Sequence, residues 1–165
     1  MFHSILTNMT VCIFALLVAT AAYQDVKSFK IPNIYSLSIV FLYPAFVLLS
    51  GGTVDWLGAI GVAAIALIIG FALFALKYCG GGDAKLIAAV SLWAGPVLIV
   101  EFATLMAIAG GLIAITLWLH HRVSRLVPYL SQAPVHESEI FAKKPMPYGV
   151  AIAIGAVYVA FTLLR

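Results

Sequence analysis

The feature that most limits what this chain can fold into is the near-absence of charge along six long apolar runs. They fall at about Ile5–Ala22, Asn33–Leu49, Leu57–Leu76, Ala84–Val100, Phe102–Leu119 and Tyr148–Leu164. A hydrocarbon layer is crossed by about 20 apolar residues of helix, with a range of roughly 17–25. An open sheet cannot do this, because lipid offers no partner to an unpaired backbone group. Hydrophobic residues make up 64% of the 165 residues and charged residues 9%, with a mean hydropathy of +1.14. A soluble core of this size would leave much of that apolar surface wet. That excludes an ordinary soluble enzyme, a disordered chain and a nucleic-acid binder. The expectation is an all-α polytopic membrane protein, a single integral-membrane domain over residues 1–165 with a bundle of about six transmembrane helices. Gly95 and Pro96 interrupt the fourth run and Glu101 ends it, so a short or kinked helix is expected there. No internal repeat is visible, which argues against transporter folds built from duplicated halves.

The connections alternate in charge. Those after the first, third and fifth runs carry Lys27 and Lys30, then Lys77 and Lys85, then Arg122, Arg125, Lys143 and Lys144, which is eight of the nine basic residues. The ninth is Arg165, and the other connections hold only Asp55 and Glu101. By the positive-inside rule the three basic connections are cytoplasmic and both termini lie outside. The first run ends Ala19-Thr20-Ala21, which looks like a signal-peptidase site. Its fixed positive charges, Lys27 and Lys30, follow the run instead of preceding it, so the segment is expected to stay as a helix. Cys12 and Cys79 form no CxxC pair, and no disulfide framework or metal site is expected.

With six acids in the chain, each can be weighed. Asp55, Glu101, Glu137 and Glu139 read as solvated loop or interface charges. Asp25 and Asp83 differ. Asp25 follows the first run, Asp83 opens the fourth behind Gly80-Gly81-Gly82, and the charge count puts both at the cytoplasmic end. Ionisable groups at a bundle edge are costly unless paired or functional. Two carboxylates sharing a poorly solvated site cannot both ionise cheaply, so one keeps its proton and the other loses it. Such a pair holds a general base to activate water and a general acid to protonate a leaving nitrogen. It titrates as a unit, so neither role belongs to one residue from sequence. The plainer alternatives are that Asp83 is a helix N-cap and that Asp25 marks the membrane boundary. Three glycines in a row open dihedrals closed to other residues and let a substrate strand approach the main chain; a flexible turn is the alternative. On the first of these readings, substrate binding is what brings the two acids together.

The stretch DVKSFKIPN from Asp25 to Asn33 and the stretch GGGDAKLIAAVSLWAG from Gly80 to Gly95 resemble the two signature segments of the type IV prepilin peptidase family, the GxGD intramembrane aspartyl peptidases. A third segment, KKPMPYGVAIAIG from Lys143 to Gly155, looks like that family's turn into its last helix. The resemblance implies an aspartyl endopeptidase with Asp25 and Asp83 as catalytic dyad, placed at the cytoplasmic face of a bacterial inner membrane and using no metal or other cofactor. Gly80 and Gly82 fall on the motif glycines and Lys85 on the motif lysine. Lys85 would hold a carboxylate or substrate carbonyl, or simply snorkel to the interface. Pro32 and Asn33 would orient the second helix, with Pro at its first position.

Pro145, Pro147, Tyr148 and Gly149 are candidate substrate-binding residues, since extended backbone before proline offers an edge for strand pairing; a plain helix start is the alternative. Larger members of the family carry a cytoplasmic CxxC…CxxC segment and an N-methyltransferase activity. Lacking those cysteine pairs, this chain resembles the minimal form associated with Tad/Flp pili, which implies a Flp-type prepilin as substrate, membrane lipid as surroundings and pilus assembly machinery as neighbour. The stretch from His120 to Pro147 reads as one long loop, with a basic interfacial segment at its start. Two rival readings stay open: a GxGD protease with another substrate, and a non-catalytic membrane subunit of a pilus, secretion or transport machine. The second gives no reason for both acids to fall on the basic side.

Overall fold

The computed structural model describes residues 2–52, 54–131 and 148–165. Among them are five helices and no strand: α1 Phe2–Ser28, α2 Asn33–Leu49, α3 Trp56–Ala75, α4 Gly81–Ser131 and α5 Tyr148–Leu163. Three of these, α1, α3 and α4, are long and apolar enough to cross a membrane. The apolar helices α2 and α5, of 17 and 16 residues, rise about 24–26 Å at 1.5 Å per residue, somewhat less than a hydrocarbon core.

The fourth helix is two rods. Gly95 has φ 58 and ψ −170 inside an otherwise helical run, a region essentially closed to residues with a Cβ. A straight helix would separate Asp83 from Ala114 by about 46 Å, yet both line one groove. The chain therefore folds back at Gly95, and Pro96, which lacks a backbone N–H, opens the second rod. The interruption expected at Gly95 and Pro96 is therefore the turn itself, and the run boundary expected at Glu101 moves there, Glu101 being an exposed residue within the second rod. The loop expected from His120 is also corrected, because helix continues through Ser131.

Contacts along the rods give their directions. The Thr7 hydroxyl donates to the Leu49 carbonyl at 3.0 Å, so α1 and α2 are antiparallel. Gly70 of α3 faces Ala84 while Gly58 faces Pro96, so α3 runs against the first rod of α4. In the second rod, Phe102 meets Gly155 of α5 and Gly110 meets Ala151. One end of the bundle thus gathers the close of α1, the α1–α2 and α3–α4 connections, and the start of α5. Lys27, Lys30, Lys77 and Lys85 sit at this end.

Local chemistry ends each helix where it does. Asp55 N-caps α3 by accepting from Gly58 N–H at 2.9 Å, a more specific role than the solvated charge expected of it. At the other end, Lys77 takes φ 64, its N–H donates to Phe74 O and the Tyr78 N–H donates to Leu73 O, each at 2.9 Å. That is a Schellman closure, which satisfies carbonyls a helix end leaves open.

The interior is small and aromatic at its centre. Phe14 of α1 stacks on Trp93 at 4.4 Å, Tyr43 and Phe46 of α2 flank the same ring, and the indole N–H donates to Ile39 O at 3.0 Å. Around it the core is built of Val, Leu and Ile side chains together with many Ala and Gly, the small residues that let backbones approach where lipid gives no hydrophobic drive to association. Large apolar side chains point outward, among them Phe41 at 72% and Leu48 at 80% exposure. An outward apolar surface this extensive fits lipid and not water.

Candidate active site

Asp25 lies in the last turn of α1 and is 5% exposed. Its carboxylate oxygen Oδ2 accepts the backbone N–H of Gly149, in the first turn of α5, at 2.8 Å. Asp83 is the third residue of α4, so it is not the cap of that helix. Its carboxylate instead reaches back to the Gly80 backbone N–H, the reciprocal contact of a capping box. The two acids lie within electrostatic range of each other. The sequence stretches that hold them also touch: Gly82, one residue before Asp83, packs on the backbone of Ile31, six residues after Asp25.

That contact revises the reading of the glycine run. None of Gly80, Gly81 and Gly82 has positive φ; among the described residues that conformation belongs to Gly51, Gly52 and Gly95, with Phe29 and Lys77. The three are glycine for space. A Cβ on Gly82 would stand 3.0 Å from Ile31 O and 3.1 Å from Ile31 Cβ, and one on Gly80 would stand 2.6 Å from Asp83 Oδ2. A Cβ on Gly81 would meet only the edge of the Phe74 ring, at 3.2 Å.

Lys85 Nζ donates to Asn33 Oδ1 at 3.0 Å, joining the first turn of α2 to that of α4. Its partner here is this amide and not a carboxylate, one of the roles weighed for it from sequence. Pro32 is the N-cap of α2 with φ −59 and ψ 139, and Asn33 is the first helical residue, one position later than expected for the proline. Tyr148 and Gly149 open α5 at the same end of the bundle, whereas Pro145 and Pro147 lie outside the described residues, as do Lys143 and Lys144.

Beside Asp83 opens a groove of about 400 Å³, lined by Leu73, Tyr78 and Cys79, by Ile87 on the first rod of α4, by Met106 and Ala107, Gly110, Gly111 and Ala114 on the second, and by Tyr148, Ala151 and Ile152 of α5. Its walls are apolar apart from the Tyr and Cys side chains and the Asp83 carboxylate. The residues at 107, 110, 111 and 114 share one helix face, and a Cβ on Gly111 would meet nothing within 4 Å. Sequence reasoning passed over this stripe, although its helical spacing of small residues was there to be read. Burial and the neighbouring Asp83 charge push the Cys79 thiol above its usual range, so it stays a thiol near neutrality. Among the described residues no group of three or more His, Cys, Asp or Glu is placed to hold a metal ion.

A family model described as type IV leader peptidase family matches residues 12–115. The match spans more than half of the chain, with both acids and both glycine contacts inside it. No curated protein and no solved structure matches.

Proposed function

This chain belongs to the type IV leader peptidase family, and on that premise we propose that it is an intramembrane aspartyl endopeptidase cutting the leader from type IV, Flp-type, prepilins. The observation that carries the reading is the approach of Asp25 and Asp83 to within electrostatic range of each other. Fifty-eight positions apart in the sequence, they come to one end of the bundle, one buried on a backbone donor and the other at the mouth of an apolar groove.

Chemically, such a pair suffices for peptide hydrolysis. The ionised carboxylate takes a proton from water as the oxygen attacks the scissile carbonyl carbon. The protonated partner donates a hydrogen bond to the carbonyl oxygen as charge builds on it, and the departing nitrogen receives a proton from the pair. Each contribution of this kind is worth about 10²–10⁴ in rate. The groove beside Asp83 would take the apolar part of the substrate adjoining the bond, with burial supplying affinity.

Topology supports the same placement. Counting the two rods of α4 separately gives six passes, with the four lysines at the aspartate end and the described termini at the other. Four lysines on or beside short connections would orient that end to the cytoplasm. The prepilin leader would then be cut on the cytoplasmic side of a bacterial inner membrane.

The test is prepilin cleavage in membranes by the wild type, Asp25→Asn and Asp83→Asn. Asparagine keeps size and polarity but serves as neither acid nor base. Both variants are expected to insert normally and leave the prepilin uncut. Cleavage at the wild-type rate by either one would return that residue to a boundary charge or a helix-end contact, and would favour a non-catalytic subunit.

A further inference from the structure

We infer that Gly149 is a positioning residue for the reaction: its backbone N–H, at the N-terminus of α5, fixes the Asp25 carboxylate, and only glycine leaves room for it. The inference rests on the dyad reading and adds to it a part for the last helix.

Asp25 is poorly served by its own helix. It stands in the last turn of α1, where unpaired carbonyls put partial negative charge beside the carboxylate. At 5% exposure water does little to solvate it. Help comes from α5, whose first turn carries N–H groups without intrahelical acceptors and the positive end of a helix dipole. One of those donors, Gly149 N–H, reaches Asp25 Oδ2 at 2.8 Å and is itself buried.

Space makes the contact specific to glycine. A Cβ on Gly149 would lie 2.9 Å from Asp25 Cβ, 2.9 Å from Oδ2 and 3.2 Å from Cγ. The Asp25 Cβ is fixed to the α1 backbone and cannot swing aside, so any side chain must push α5 off α1 or turn the carboxylate. Either movement breaks the 2.8 Å bond. The preceding residue, Tyr148, lines the groove that holds Asp83, so one dipeptide step sets Asp25 relative to the other acid. This gives Gly149 a different task from the substrate contact expected of it.

A general packing role is separable, because α5 has a second tight glycine. A Cβ on Gly155 would meet Phe102 Cδ2 at 2.8 Å and Phe102 O at 2.9 Å, and neither Asp25 nor Asp83 is among its nearest contacts. The experiment compares wild type, Gly149→Ala, Gly155→Ala and Asp25→Asn as full chains in lipid nanodiscs, cutting a prepilin across a pH series. Gly149→Ala is expected to lose about 100-fold in kcat, the scale of an ångström's misplacement of a reacting group. Its KM should stay near wild type and its pH profile of kcat/KM should be displaced. Gly155→Ala should keep the wild-type profile even where its thermal stability falls.

As a readout free of the Gly149 substitution, hydrogen exchange at the Gly149 amide should be at least tenfold faster in Asp25→Ala than in wild type, since no intrahelical carbonyl protects that amide. Wild-type kcat in Gly149→Ala, loss matched by Gly155→Ala with an unmoved profile, or unchanged exchange in Asp25→Ala would each overturn the inference. Cleavage at the wild-type rate by Asp25→Asn would instead overturn the dyad reading beneath it.

Discussion

Replacing the three glycines before Asp83 one at a time by alanine separates room from mobility. Gly82 has the least give around it: the new Cβ meets the carbonyl oxygen and Cβ of buried Ile31 at 3.0 and 3.1 Å. Those atoms belong to a turn held between α1 and the fixed φ of Pro32. Overpacking of this kind costs about 1–3 kcal/mol, and removing a glycine from the unfolded chain returns about 0.4–1 kcal/mol. The net expectation for Gly82→Ala is a loss of about 0.5–2 kcal/mol. Because the strain sits between the segments carrying the two acids, cleavage should fall by about 10–100-fold. At Gly81 the new methyl touches the ring edge of Phe74 at 3.2 Å, on an exposed side chain free to rotate. Stability there should change by less than about 0.5 kcal/mol and cleavage should persist. At Gly80 the methyl lands 2.6 Å from Asp83 Oδ2, so activity should fall while stability changes little. Thermal unfolding in nanodiscs and prepilin cleavage on the same preparations read both quantities. Equal loss of activity at all three positions without loss of stability would refute this reasoning, because it would mean the run is glycine in order to bend.

Two further expectations concern the break in α4 and the thiol beside the groove. Gly95→Ala should lower stability by about 1–3 kcal/mol in thermal unfolding, all of it backbone strain, since the nearest atom to the new Cβ is an ordinary contact with Ala59 Cβ at 3.7 Å. Asparagine, which tolerates φ near 58 only with ψ near +47, should do no better at ψ −170; a clear rescue by Gly95→Asn would count against the fold-back geometry. Cys79, its thiol pushed up by burial and by Asp83, should react slowly with a maleimide at neutral pH in a Cys12→Ala background. Removing the neighbouring negative charge with Asp83→Asn makes the thiolate cheaper, so alkylation should accelerate and its pH midpoint should fall. An unchanged rate would mean the two side chains do not sense each other.

Helices, their number of rods and the end that carries the acids were legible because each is a one-dimensional property of the chain. A segment in lipid must satisfy its own backbone, so apolar run length gives the helix, and α2 runs over Asn33–Leu49 as expected. The interruption at Gly95 and Pro96 was legible, but the boundary between the fourth and fifth runs was drawn about six residues late, because hydropathy registers the charge of Glu101 whereas the chain turns at a dihedral available to Gly95. Which residues touch was not legible. In a soluble helix a polar face fixes rotation about the axis, but α3, α5 and the middle of α1 from Val11 to Ala19 are apolar all round, so nothing in their pattern says that Gly149 faces Asp25 or that Gly82 faces Ile31. Those pairings are set by where a missing Cβ lets two backbones approach, and a glycine shows that only once its neighbour is known. The same ambiguity hid the target of Lys85, whose placement two residues after Asp83 suggested the carboxylates and whose ammonium instead reaches across to Asn33.

On the proposed dyad reading, that choice of partner has a consequence for the two acids. A lysine in contact with a carboxylate strongly favours the ionised form, and a pair in which both members were so held would contain no acid. Here the donors on the carboxylates are backbone N–H groups at helix N-termini, Gly149 for Asp25 and Gly80 for Asp83. A helix end carries only about half a unit charge, enough to help hold a carboxylate where water is scarce. Meanwhile the aspartate end needs its lysines for orientation, and Lys85 is the one borne by the acid's own helix turn. Tying its Nζ to a neutral amide keeps the orienting charge at that end while spending it on neither acid. On the same proposed reading Asn33 would have two tasks, joining α2 to α4 and keeping a cation off the two acids, and glutamine or histidine at that place would have to reach the same oxygen position to do both.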